Sequence, residues 1–134
     1  MRLKKPRCFL VYALAPEGLS PAQVNQIFNA YIGDRSLPLV LFHDHFIGQL
    51  GGMVIFYAET ESEREALYQS NRLDGWDVKI HPLIYAHSPA AFDEQTAYTL
   101  RAYRDVNWDV LRQEKRPRYG DPNREAETGE ESDD

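Results

Sequence analysis

Residues 37–58 read LPLVLFHDHFIGQLGGMVIFYA and contain two apolar runs joined by a glycine-rich segment. The first run extends from about Leu39 to Ile47. The second, Met53–Ala58, is apolar without alternation, which is typical of a strand covered on both faces. The connection Gly48–Gly52 lacks the spacing and the following helix of a phosphate-binding loop, so we interpret it as a hairpin turn. Two adjacent antiparallel strands are therefore predicted here.

Two further strands are predicted outside this hairpin. Cys8–Leu14 is again apolar without alternation. Residues 1–15 also imitate a signal peptide, but the apolar run is short, and we expect a strand with a polar lead-in. Trp76–Tyr85 alternates between apolar and polar side chains, as in a half-buried strand. Pro82 interrupts its hydrogen bonding and indicates an edge position or a bulge.

Three helices are predicted from their start signals. Ser20 and Pro21, followed by Gln23, form a capping box with proline at the first helical position. A second capping box, residues 60–63, opens a helix expected to end before Asp74. Ser88 and Pro89 repeat the first signal for a third helix through about residue 104, and a short helical turn follows near residues 108–111.

The resulting order predicts an α+β fold of the ferredoxin-like βαββαβ type with an additional C-terminal helix. Right-handed crossovers place the first and third strands in the centre of the sheet and the other two at its edges. We expect one domain over residues 1–114. Residues 115–134 carry four basic and seven acidic residues with no apolar period, which predicts a disordered acidic tail.

The central strands are apolar on both faces, yet two helices cover only one face, so a second copy packed sheet to sheet is expected. Together with the element order and the helix after the fourth strand, this resembles the dimeric α/β-barrel proteins. That group includes YCII-like proteins, muconolactone isomerase and small antibiotic-biosynthesis-type monooxygenases. The resemblance covers residues 8–112 by architecture, without a motif. It implies a homodimer with a cleft between sheet and helices, and leaves the activity open.

Composition excludes several classes. The net charge of −6 comes with no basic stripe, so no nucleic-acid partner is expected. No apolar run approaches the ~20 residues of a membrane span. The single cysteine, Cys8, excludes an internal disulfide and is typical of a reducing compartment, so we expect a cytoplasmic protein. No cofactor fingerprint is present, and none is predicted.

His43 and His45 are the candidate catalytic residues. Residues two apart on a strand point to the same face, so both imidazoles are predicted to lie together, with Asp44 on the opposite face. In an apolar pocket they would serve as acid–base groups toward a small organic molecule. As an alternative they would bind a metal with a third ligand such as His81 or His87, although two histidines alone do not define a site. As a further alternative they are polar residues of an edge strand.

The candidate substrate-binding residues are Tyr12, Tyr57 and Tyr85, as hydroxyl donors, and Arg101 or Arg35, as a carboxylate partner. Packing with a satisfied hydroxyl is the simpler interpretation of the tyrosines. Three functions follow as hypotheses: a small-molecule enzyme using the two histidines, a non-catalytic dimeric module that binds a ligand or protein, and a metal-binding protein.

Overall fold

The structure, a computed structural model, describes residues 2–113, with residues 2–6 described by their backbone alone. The predicted acidic tail, residues 115–134, lies outside the described residues. Strands and helices follow one another in the predicted order: β1 Arg2–Leu14, α1 Pro21–Ile32, β2 Leu39–His45, β3 Gly51–Thr60, α2 Glu61–Gln69, β4 Asp77–Pro82, α3 Pro89–Arg104 and α4 Trp108–Leu111.

The chain divides into two compact units, Met1–Phe92 and Asp93–Asp134. The first unit contains the four strands, α1, α2 and the first residues of α3. The second contains the rest of α3 and the short helix α4, where the Trp108 indole Nε1–H donates to the Asp93 carboxylate at 2.7 Å.

The first unit contains one antiparallel sheet with the strand order β2-β3-β1-β4. Strands β1 and β3 are therefore central and β2 and β4 lie at the edges, which confirms the predicted arrangement. The α+β architecture, a four-stranded antiparallel sheet with four helices among the described residues, is consistent with a ferredoxin-like fold. Pro82 is the last residue of the edge strand β4.

Both predicted capping boxes are present. The Ser20 hydroxyl accepts a hydrogen bond from the Gln23 N–H at 3.1 Å, and the Gln23 side chain accepts one from the Ser20 N–H at 2.9 Å. Thr60 and Glu63 make the equivalent pair at the start of α2, at 3.1 and 3.3 Å. These bonds satisfy backbone donors that the first helical turn leaves without partners, so both helices begin where the sequence predicts.

The hydrophobic core lies on one face of the sheet, which we call the helix face. Alternate side chains of the two central strands are buried there together with side chains of α1 and α2. The principal members are Phe9, Val11, Phe28, Val54, Phe56 and Leu67, each at most 2% exposed.

The opposite face of the sheet, which we call the second face, is also apolar. Tyr12 and Ile55 of the central strands point to it, because their neighbours in sequence are buried on the helix face. On the edge strand β2, Leu39 and Phe42 are paired with residues of this face and are 60% and 55% exposed. The prediction that the central strands are apolar on both faces is thus confirmed.

Glycines at the end of the hairpin permit its close packing. Gly51 has a φ of +150°, and a Cβ at this position would lie 2.1 Å from the Ala13 carbonyl oxygen. A Cβ on Gly52 would lie 2.7 Å from the ring of Phe28. Both positions therefore require glycine: Gly51 because of its backbone conformation and its close contact, and Gly52 because of its close contact alone.

Some boundaries differ from the prediction. Strand β1 begins at Arg2 rather than Cys8, since the backbone of its polar lead-in also pairs with β3. Helix α2 ends at Gln69, because Ser70 adopts an extended conformation, and Leu73 is buried from the following loop instead. Strand β4 ends at Pro82, where its pairing with β1 stops, and leaves Tyr85 in a loop.

Candidate functional site

The two candidate histidines lie together on the helix face of the edge strand. His43 is opposite Val54 and His45 is opposite Gly52, and residues paired across antiparallel strands point to the same side. Their ring centroids are 5.9 Å apart at 75°. Asp44, opposite Met53, points to the second face, as the alternation predicts. The strand therefore separates the triplet into a histidine pair and an aspartate on the other side.

Aromatic packing connects the histidine pair to helix α1. The His45 ring meets the Phe28 ring at 5.5 Å and 71°, and Phe28 also stacks with Trp76 at 6.2 Å and 17°. Phe28 is fully buried, so His45 lies against the wall of the core. The contact of His45 with Phe28 is the kind of edge-on aromatic packing that stabilises a core.

The predicted tyrosines lie elsewhere. Tyr12 and Tyr57 belong to the second face, so the sheet separates them from the histidines. The Tyr57 hydroxyl donates to the Glu59 carboxylate at 2.9 Å, and the Tyr12 ring contacts Phe46 at 5.2 Å. Tyr85 is 71% exposed in the loop after β4.

The predicted carboxylate partners belong to different units of the chain. Arg101 lies in the second unit, where its guanidinium stacks over the Tyr98 ring at 5.8 Å. Arg35 is exposed in the α1–β2 connection. Within the first unit, the structure brings His43 and His45 together and places Tyr12 and Tyr57 on the opposite face of the sheet.

A cavity of about 340 Å³ opens between the two helices and strand β4 on the helix face. Its inner wall is made of apolar and aromatic side chains from α1, α2, β4 and the loop before β4: Tyr31, Leu67, Leu73, Trp76, Val78 and Ile80. More exposed residues form its mouth: Tyr68, Ser70, Asn71, Asp74 and Gly75. Because Tyr31, Leu67 and Leu73 are almost fully buried, most of the lining surface that a ligand could contact is polar.

Tyr31 is the most buried polar side chain of this wall, at 2% exposure. Its ring is held by contacts with Phe28 at 6.0 Å and with Phe56 at 5.6 Å. Burial raises the pKa of the Tyr31 phenol well above its usual value, so the hydroxyl stays protonated. Among the described residues no hydrogen bond engages this hydroxyl, which leaves it able to pair with a bound molecule.

A second concave surface lies on the second face. It has a volume of about 350 Å³ and is lined almost only by apolar side chains: Leu41, Phe42, Ile55, Pro89 and Phe92. The strand register shifts between Val40 and Phe42, which leaves Leu41 without a cross-strand partner beside this groove. With so few polar groups, the groove suits an apolar partner better than a polar metabolite.

The described part of the chain contains neither a group of side chains suited to bind a metal ion nor a reactive thiol. Within residues 2–113 no three His, Cys, Asp or Glu side chains are grouped so that they could hold a metal ion. Cys8 is fully buried, and desolvation raises the pKa of its thiol to about 11. The thiol is therefore protonated near neutral pH and poorly nucleophilic.

The sequence predicts a pocket containing His43 and His45 and not this cavity between α1, α2 and β4, although it identifies several residues of the cavity as core. Tyr31 follows Val24 and Phe28 at helical spacing, and Trp76, Val78 and Ile80 share one face of the alternating strand. These signals mark the residues as core. The cavity lies at the end of α2, so its presence depends on where that helix ends. Hydrophobic periodicity does not specify this position.

Comparison with known proteins found no family model, curated protein or solved structure that matches this chain. The helices of residues 2–113 include none with the length and apolar character needed to cross a membrane.

Proposed function

We propose that this protein binds a small organic molecule in the cavity between α1, α2 and β4. The observation that carries the proposal is the cavity itself, about 340 Å³, with the rings of Tyr31 and Trp76 in its wall. This volume lies at the lower end of the range of ligand sites and suits a single-ring molecule. The Tyr31 hydroxyl, on a side chain that lines the cavity, offers a hydrogen bond that would orient such a ligand.

Binding is favoured over catalysis at this cavity. Neither His43 nor His45 is among the residues that line it, although the Phe28 ring contacts both His45 and Trp76. A general acid or base must reach its substrate directly or through one water. Acid–base work by the two histidines stays a separate prediction, and the cavity does not depend on it.

Protein-observed NMR with a set of neutral single-ring aromatic compounds tests the proposal. Ligands in the cavity will shift the indole N–H resonance of Trp76, which Trp108→Phe distinguishes from that of the second tryptophan. Asn71→Trp adds bulk at the mouth and is expected to abolish these shifts. The matched control is Gln69→Trp, at an exposed neighbouring position that does not line the cavity.

Two results would contradict the proposal. One is binding that shifts resonances only outside the cavity. The other is binding to the Asn71→Trp variant with unchanged affinity while its spectrum retains the native dispersion.

The second face supports one further proposal, that the protein is a homodimer. Tyr12, Leu39 and Phe42 are 39%, 60% and 55% exposed on the same apolar surface. Contiguous exposed apolar surface of this kind marks interaction sites. A second copy related by a two-fold axis would bury it, in keeping with the resemblance to the dimeric α/β-barrel group.

A further inference from the structure

The lining of the cavity between α1, α2 and β4 is negatively charged. Of its lining residues in the described chain, Asp74 alone carries a formal charge, and no lysine or arginine lines the cavity. Asp74 lies at the mouth, in the turn that leads to Trp76, and is exposed. A carboxylate among the lining residues, with no basic residue to balance it, favours a ligand with a positive group at one end.

Cations close to this cavity in sequence or space are already paired with other carboxylates. Arg64, which stacks over the Tyr68 ring at 5.7 Å, bonds to Glu61. Arg72 bonds to Asp34 at 2.9 Å. Lys79 on β4 forms its ion pair with Asp77 at 3.1 Å, on the second face.

Asp74 forms no ion pair with any residue of the described chain. Its own backbone N–H donates to the Asn71 carbonyl at 3.2 Å, which fixes the backbone of the turn that lines the mouth. No cation of the described chain neutralises the carboxylate. Because Asp74 is exposed, it attracts a cation as a surface carboxylate does, and salt screens the attraction.

Aromatic rings in the wall add to the preference for a cation. Trp76 and the 2% exposed Tyr31 are among the residues that line the cavity, and the face of an aromatic ring attracts positive charge. One side of Tyr68 is already occupied by the Arg64 guanidinium. Arg64 itself does not line the cavity.

We propose, on the basis of the binding function above, that the ligand class is a protonated aromatic amine. Its flat apolar body lies among Tyr31, Trp76 and Ile80, and its ammonium group lies at the mouth beside Asp74. A neutral molecule of the same shape would gain the apolar contacts alone, and an anion would be repelled by the carboxylate.

Three probes of matched size test the ligand class: 2-phenylethylamine, 2-phenylethanol and phenylacetate, which are cationic, neutral and anionic at neutral pH. Each is titrated into the full chain at low ionic strength, and the Trp76 indole resonance reports binding. We expect the amine to bind roughly fivefold more tightly than the alcohol, as an exposed ion pair allows. Phenylacetate is expected to bind most weakly.

The Asp74→Asn variant keeps the shape of the side chain and removes its charge, so the amine and the alcohol should then bind equally. Glu17→Gln changes the net charge by the same amount at an exposed position away from the cavity, and it should preserve the fivefold preference. Circular dichroism checks that both variants keep the native fold.

The outcomes separate this inference from the function on which it rests. If the alcohol binds at Trp76 as tightly as the amine, or if the preference survives in Asp74→Asn, the ligand class is wrong and the binding function stands. If neither the amine nor the alcohol shifts the Trp76 resonance, both proposals are overturned.

Discussion

Gly52 lies in β3 opposite His45, where the Phe28 ring of α1 meets the sheet. A Cβ there would lie 2.7 Å from the Phe28 ring and also 2.7 Å from the Asp44 carbonyl oxygen of β2. The added methyl group would therefore be confined between a buried ring and a backbone strand. We predict that Gly52→Ala lowers the free energy of unfolding by about 2 kcal/mol through overpacking. Urea denaturation measures this change. Gly33→Ala is the control, since its Cβ would make only an ordinary 3.4 Å contact, and equal stability of the two variants would contradict the prediction.

Hydrogen bonds to the Asp34 carboxylate connect the end of α1 to the loop after α2. It accepts hydrogen bonds from the Ser36 hydroxyl at 2.7 Å and N–H at 2.9 Å, and from Arg72 at 2.9 Å. These bonds, those of Ser36 first, lower the pKa of Asp34 to about 2. Because the folded pKa lies below the unfolded value, the stabilisation is present above about pH 4 and is lost as the pH falls toward 2.

The stability of the chain is therefore expected to fall between about pH 4 and pH 2, by on the order of 1 kcal/mol from this residue. Urea denaturation at several pH values measures the fall. In Asp34→Asn the stability at neutral pH is lower and this part of the pH dependence is absent. An unchanged pH profile in the variant would show that Asp34 contributes nothing to acid sensitivity.

At the same scale, the sequence predicts part of the candidate site. Alternation along β2 pairs His43 with His45 and separates them from Asp44, because the period of two is a property of any strand. Which face the pair occupies depends on the pairing with β3 and on the unpaired Leu41, and neither is readable from the local pattern. For the same reason, the placement of Tyr12 on the opposite face was not predictable.

His45→Ala is expected to reduce the free energy of unfolding by about 1 kcal/mol, since it removes the ring contact with Phe28. His43 has no ring contact with the core beyond His45 among the described residues, so His43→Ala should cost less. Thermal unfolding of the two variants measures the difference. If His43→Ala is the more destabilising, the core-packing role assigned to His45 is wrong.

At the scale of elements, the helix starts were predicted correctly and several ends were not. Ser20 and Thr60 act through residues three positions away, so their signal is entirely local. The end of α2 at Gln69 and the limits of β1 and β4 depend on backbone pairing and on the burial of Leu73, which involve distant parts of the chain. The cavity lies at such an end, which explains why no local pattern predicts it.

The capping residues give a prediction at this scale. Ser20→Ala is expected to lower the free energy of unfolding by about 1 kcal/mol, because the Gln23 N–H loses its acceptor and the capping box is broken. Ser62→Ala, an exposed serine within the first turn of α2 but not at its cap, should leave the stability nearly unchanged. Chemical denaturation of both variants checks the contrast, and a similar loss in both would refute a specific capping role for Ser20.

At the scale of the whole molecule, the question is what the second face contacts. Phe42 is 55% exposed on this face and Ile47 is fully exposed in the loop after β2, so aspartate at either position should leave the monomer folded. If two copies pack through the second face, Phe42→Asp places a charge in the interface and separates the dimer, while Ile47→Asp leaves it intact. Light scattering coupled to size-exclusion chromatography gives the mass of each species. A wild-type protein that stays monomeric at high concentration would contradict the dimer. A dimer that is unaffected by Phe42→Asp but separated by Ile47→Asp would show that the interface lies outside the second face.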